Sequence, residues 1–104
     1  MANFLLTFQG GKMPETPEQN AKVMKAWAGW FAEIGGALVD AGNPVSQSKT
    51  IHSNGSVSNG PANAPTGYTI IKADNLDHAV KISKGCPVLA DGASVVVSET
   101  FAAM

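Results

Sequence analysis

One cysteine, two histidines and no cluster of lysines are what this 104-residue chain offers to the commonest protein chemistries, and each shortage excludes something. Cys86 alone rules out an internal disulfide and any multi-cysteine metal site, and a single thiol fits a reducing compartment. His52 and His78 stand twenty-six positions apart with no third ligand at helical or hairpin spacing, so neither a metal nor a cofactor is expected. Seven basic and eight acidic residues leave a formal charge of −1, and no Lys/Arg cluster could neutralise a row of phosphates. Nucleic acid is therefore not an expected partner. The apolar run in MANFLLTFQGGK is too short for a signal peptide or a membrane span, which points to a cytoplasmic protein without a membrane partner. No serine sits in a nucleophile elbow, and Gly10-Gly11-Lys12 lacks the spacing and the following Ser/Thr of a phosphate loop. No repeat, linker or low-complexity tract divides the chain, so residues 1–104 read as a single domain.

What is present is a sequence of well-marked elements. The stretch Gly67 to Pro87 joins a strand to a helix start and a helix stop. Tyr68-Thr69-Ile70-Ile71 is aromatic and β-branched, and Asp74-Asn75 supplies side-chain oxygens that cap a helix. Leu76, Ala79, Val80 and Ser83 follow at helical spacing, Lys81 and Lys84 favour the C-terminal end, and Gly85 with Pro87 stops the helix. Earlier, Asn3 to Gln9 is an apolar run of strand length ended by Gly10-Gly11. Thr16-Pro17-Glu18-Gln19 combines an N-cap, a proline at the first helical position and a glutamine three residues after the cap. Val23, Met24, Trp27, Phe31, Ile34 and Leu38 then form the apolar stripe of a long helix ending at Gly42-Asn43-Pro44, with Trp27 in the core and Trp30 on its flank. Asn54-Gly55 lies between alternating segments and predicts a hairpin within 48–58, because both residues tolerate positive φ. Ala90-Asp91-Gly92 predicts a turn, and 94–101 a last strand.

The order strand, helix, hairpin, strand, helix, strand predicts an α+β domain of the ferredoxin-like split β-α-β type, with both helices on one face of an antiparallel sheet. Phe4 to Phe8 and Val95 to Val97 are apolar at consecutive positions, so both faces of those strands present hydrophobic side chains while the helices cover one. A homodimer through the other face, with Val96 or its neighbours in the contact, is the expected cover.

The residues just described resemble the YCII-related family, in particular its DGPF branch. The similarity spans nearly the whole chain: the first strand, a long helix leading to Gly36-Ala37-Leu38-Val39-Asp40-Ala41-Gly42, a hairpin, Asn59-Gly60-Pro61 in place of Asp-Gly-Pro, and Gly67-Tyr68 through Asn75-Leu76-Asp77-His78-Ala79 to Gly85-Cys86-Pro87. The resemblance implies a dimeric α/β barrel, two ferredoxin-like protomers packed sheet to sheet, with a small-molecule cleft in each. The acid–base pair suggested for the YCII branch has Lys25 and Cys86 at its positions here, and the DGPF motif carries Asn59 and Ala62 for its acidic and aromatic residues. The expected ligand contacts are Gln9, His52 and Asn59, and the candidate catalytic groups are His52, which titrates near neutrality, and Asp40.

Two functions follow. One is a small-molecule-binding homodimer lacking the family's His/Asp pair. The alternative is a cofactor-independent isomerase or lyase-like enzyme on a small metabolite, with His52 as proton carrier. An apolar pocket with His52 turned to solvent favours binding; a carboxylate converging on His52 favours the enzyme. A third reading is an interaction module for a regulatory protein, since DGPF-like domains occur beside sigma-factor-type regulators.

Overall fold

The computed structural model describes residues 2–11 and 14–102, so Lys12 of the Gly10-Gly11-Lys12 segment lies outside it. Its elements run β1 (Ala2–Gln9), α1 (Pro17–Ile34), β2 (Leu38–Asp40), β3 (Lys49–Ile51), β4 (Val57–Asn59), β5 (Gly67–Ala73), α2 (Leu76–Ser83) and β6 (Ser94–Glu99). β2, β5, β1 and β6 form one four-stranded antiparallel sheet in that order, and β3 with β4 forms a separate hairpin. The two strand–helix–strand units interleave, β5 lying between β1 and β2, and β1 between β5 and β6. This is the split β-α-β plan expected from the order of elements.

Alternation along the strands decides which side is core. Phe4, Leu6 and Phe8 of β1 point to the same side as Thr69, Ile71 and Ala73 of β5, and all six are buried. α1 meets them through Trp27, Trp30, Phe31 and Ile34, and α2 through Ala79 and Ile82, so both helices cover that one face. Burying a side chain the size of Phe4, Leu6 or Ile71 contributes about 1.5–3 kcal/mol. The opposite face carries Leu5, Thr7, Ile70 and Val96, aligned across the strands as Leu5↔Ile70 and Thr7↔Val96. Val96 is 48% exposed there. The apolar runs are thus buried on one side and open on the other.

Both helix starts follow from their caps. Thr16 Oγ1 accepts from Gln19 N–H, while Gln19 Oε1 accepts from the N–H of Glu15, a reciprocal pair that satisfies two otherwise orphaned donors. At α2, Asn75 Oδ1 accepts from His78 N–H (2.8 Å), and His78 Nδ1 accepts from Asp74 N–H (3.1 Å). His78 plays the part that glutamine plays at α1.

Several expectations need correction. α1 ends at Ile34, not near Gly42: Gly35 adopts φ +52°, a 3-10 turn takes Gly35–Ala37, and Leu38 leaves the helical stripe to pair with Ile71. Gly35 and Gly36 weaken the helix enough for tertiary pairing of β2 to win. Trp30, 3% exposed, is the core indole, and Trp27 is half-buried; Met24, placed on the inward stripe, is 62% exposed. On α2, Ala79 and Ser83 face the core, whereas Leu76 and Val80 are exposed. The hairpin pairs Lys49 with Asn59, and only Gly55 has positive φ: Gly55 N–H donates to His52 C=O, closing a turn in which Asn54 keeps an ordinary backbone and accepts from Ser56 N–H. A 3-10 segment, Pro87–Asp91, precedes the Gly92 turn, and β6 ends at Glu99.

Candidate functional site

Where β1 ends and β5 begins, the first half of α1 stands away from the sheet and leaves a cleft of about 510 Å³. Its floor is Phe8 and its wall is Trp27 and Phe31, with Val23, Met24 and Val88 alongside. The Trp27 ring centroid lies 5.6 Å from that of Phe8, 5.4 Å from Phe31 and 5.7 Å from Trp30, tilted or edge-on in each case. Such edge-to-face arrangements are the favoured geometry of aromatic clusters. Trp27 is therefore held by its neighbours and still presents surface to the cleft.

The rim is backbone pinned by specific bonds. Thr69, fully buried, donates its hydroxyl to Ala41 C=O (3.0 Å), and Asp40 Oδ1 accepts from Gly42 N–H (2.8 Å), which fixes the turn leaving β2. Gly42 sits at φ +75° with Tyr68 C=O only 1.7 Å from where a Cβ would stand, so no other residue fits this crossing. On the opposite side Thr66 N–H donates to Phe8 C=O (2.6 Å). Asp91 is the only carboxylate among the described residues lining the cleft.

The four residues singled out from sequence lie elsewhere and are not brought together. His52 starts the hairpin turn, exposed, with Nε2 2.9 Å from Ser58 Oγ. Asn59 ends β4 opposite Lys49, exposed. Asp40 is exposed at the end of β2, one oxygen engaged by Gly42. Gln9 closes β1, its Nε2 donating to Thr7 Oγ1 (3.2 Å) and its Oε1 buried without a partner among the described residues. What sequence reasoning missed is where the cleft lies and which side chains line it. Its available signal was the aromatic spacing of Trp27 and Phe31, one turn apart, together with Phe8.

A second hollow, about 540 Å³, lies between the end of α1 and α2, lined by Lys72, Lys81, His78 and Glu33 around Trp30. The Trp30 Nε1–H is buried without an acceptor, and it lies against Gly85, whose Cβ position is 3.1 Å away. The indole donor is thereby sealed off, and both lysines are exposed.

Cys86 is 3% exposed, and burial pushes its thiol up to about 11, against a lowering contribution from a backbone hydrogen bond of Val88. A thiol so shifted is not a nucleophile at neutral pH. Among the described residues no three His, Cys, Asp or Glu side chains gather at one place, and no helix is long and apolar enough to cross a membrane. Comparison with protein-family models gives no match to this chain, and comparison with curated proteins gives none either.

Proposed function

We propose that the protein is a small-molecule-binding homodimer of the YCII-related, DGPF-like kind, taking a predominantly apolar or aromatic ligand into the cleft walled by Phe8, Trp27 and Phe31. The observation that carries this reading is the cleft's composition: about 510 Å³, in the range of small-ligand sites, lined by four aromatic residues, Phe8, Trp27, Phe31 and Tyr68, and one carboxylate, Asp91. Binding is favoured over proton transfer because His52 is exposed and bonded to Ser58, away from the cleft, and Cys86 is held as a thiol. The split β-α-β plan and the half-open sheet face with Leu5, Ile70 and Val96 support a second copy packed sheet to sheet.

The test uses 8-anilinonaphthalene-1-sulfonate and indole as probes, followed by fluorescence and calorimetry. One saturable site per chain is expected, weakened at least about tenfold in Trp27→Ala, a loss of ~1.4 kcal/mol. Unsaturable binding, or equal affinity in the variant, defeats the reading. For the dimer, sedimentation should give twice the chain mass at micromolar concentration, and Val96→Lys should lower it.

A further inference from the structure

The β3–β4 hairpin pairs only with itself, and its root is clamped at the cleft rim by the Pro44↔Gly67 bridge and by Val45 N–H donating to Thr66 C=O. From there it projects as an arm. The molecule measures 44 × 41 × 18 Å with a radius of gyration of 15.1 Å, whereas a compact chain of this length has about 13 Å. It exposes 7293 Å², roughly 1,800 Å² more than the ~5,500 Å² of a compact monomer of its mass. An isolated two-stranded hairpin is at best marginally stable in water, so an ordered arm needs something to lie against.

The arm has two unlike faces. Thr50, His52 and Ser58 share one, where Thr50 Oγ1 donates to Gly60 C=O (2.8 Å) and His52 contacts Ser58 (2.9 Å), so its polar groups are satisfied within the arm. The other carries Ile51 and Val57, directly opposed across the ladder and 75% and 59% exposed, with the opposed pair Lys49 and Asn59 beside them at the root end. An opposed β-branched pair stabilises a sheet by being covered, and none of the described residues covers this one.

We infer that the arm is a clasp for a second copy of this chain, laying its Ile51/Val57 face on the partner beside the sheet-face contact. This rests on the homodimer reading and adds a contact that the sheet face alone does not require. The surplus of roughly 1,800 Å² per copy is what decides for a second copy: shared by two protomers it matches an obligate dimer interface, and a small ligand could not bury it. Two-fold symmetry gives each dimer two clasps, so each arm's apolar pair counts twice in the association.

The experiment is sedimentation equilibrium on the full chain, wild type against Ile51→Lys/Val57→Lys and against Ser58→Lys on the other face. The clasp predicts a dimer in wild type, a dissociation constant raised at least about tenfold in the double variant, and one within about twofold of wild type for Ser58→Lys. Trypsin supplies a readout needing no variant, because Lys49 is the one basic residue between Val45 and Pro65. Cleavage after Lys49 should slow as protein concentration rises through the dissociation constant. A wild-type dimer that the double variant leaves intact, with cleavage independent of concentration, overturns the clasp and leaves the homodimer standing. Equal weakening by substitutions on both faces overturns the choice of face. A wild-type chain that stays monomeric to about 100 μM removes the homodimer, and the clasp falls with it.

Discussion

The main sheet and the β3–β4 arm are made of similar strand formers, yet the same alternation has opposite outcomes in the two. In β1 and β5 every second side chain meets a helix, and Phe4, Leu6, Thr69 and Ile71 are completely buried. In the arm the alternation is as regular, but Ile51 and Val57 meet solvent. β-Propensity therefore reports a local geometry, and burial depends on which element the chain brings back across it. Only the sheet has helices returned to it, by the connections after β1 and β5.

The sharpest way to test that contrast is to remove the most deeply buried side chain of α1. Trp30→Ala should lower stability by about 3–5 kcal/mol, the range for large aromatic truncations in a packed core, read from urea unfolding midpoints. A loss below about 1 kcal/mol would mean the α1 side of the sheet is no better packed than the arm.

Next in size is the pH dependence of the core thiol. The folded state raises the Cys86 pKa from 9.0 to about 11, so the native state holds the proton more tightly than the unfolded chain. Its contribution is therefore intact below pH 9 and is lost as pH rises from about 9 through 11. The loss should be on the order of 2 kcal/mol relative to Cys86→Ala, which has no such group to titrate. Parallel pH profiles of the two proteins would show that this position is hydrated.

Trp27→Ala should cost less than Trp30→Ala, about 1–2 kcal/mol, because Trp27 is half-exposed at the cleft; thermal melts of the two variants side by side give the order. The smallest effect belongs to the arm. Ile51→Ser and Val57→Ser should each change the stability of the isolated chain by no more than about 0.5 kcal/mol, measured by tryptophan fluorescence at concentrations below self-association. A larger change would place the arm within the cooperative unit of the sheet.

How far the sequence discloses this structure follows the same division. Both helix starts were legible because Thr16-Pro17 and Asn75 satisfy orphan donors locally, whatever the rest of the chain does. β1, β5 and β6 were legible as β-rich runs between glycine stops, and Asn54-Gly55 located the hairpin. The end of α1 was not, since Ala37-Leu38-Val39 continues the apolar helical spacing and only pairing with β5 makes it a strand. The depths of Trp27 and Trp30 are illegible for a related reason: one turn of helix carries both, and the depth of each is set by Phe8 and Gly85, which are remote in sequence. The cleft joins residues from β1, α1 and the two segments at the arm's root, so the spacing of Trp27 and Phe31 marks only one wall of it, and His52, Asp40, Gln9 and Asn59 are scattered around it.

The position of β1 between β5 and β6 bears on how the chain is made. Phe4, Leu6 and Phe8 leave the ribosome before the sheet's other strands, and their partners on both sides, Gly67–Ala73 and Ser94–Glu99, follow only after more than fifty further residues. At about 5–20 residues per second, roughly 4–17 s separate the synthesis of Gln9 from that of Ser94. For that time the most apolar strand has no ladder partner on its β6 side, and until β5 and α2 follow, α1 alone can screen it. Nascent chains arrested near residue 90 should show no amide protection at Leu5 and Thr7 beyond that of unfolded peptide, and chains arrested on an added linker after residue 104, long enough to free β6 from the ribosome, should show it at both. The strand written first is the one completed last, so a short-lived dependence on chaperones during synthesis is built into the order of the sheet.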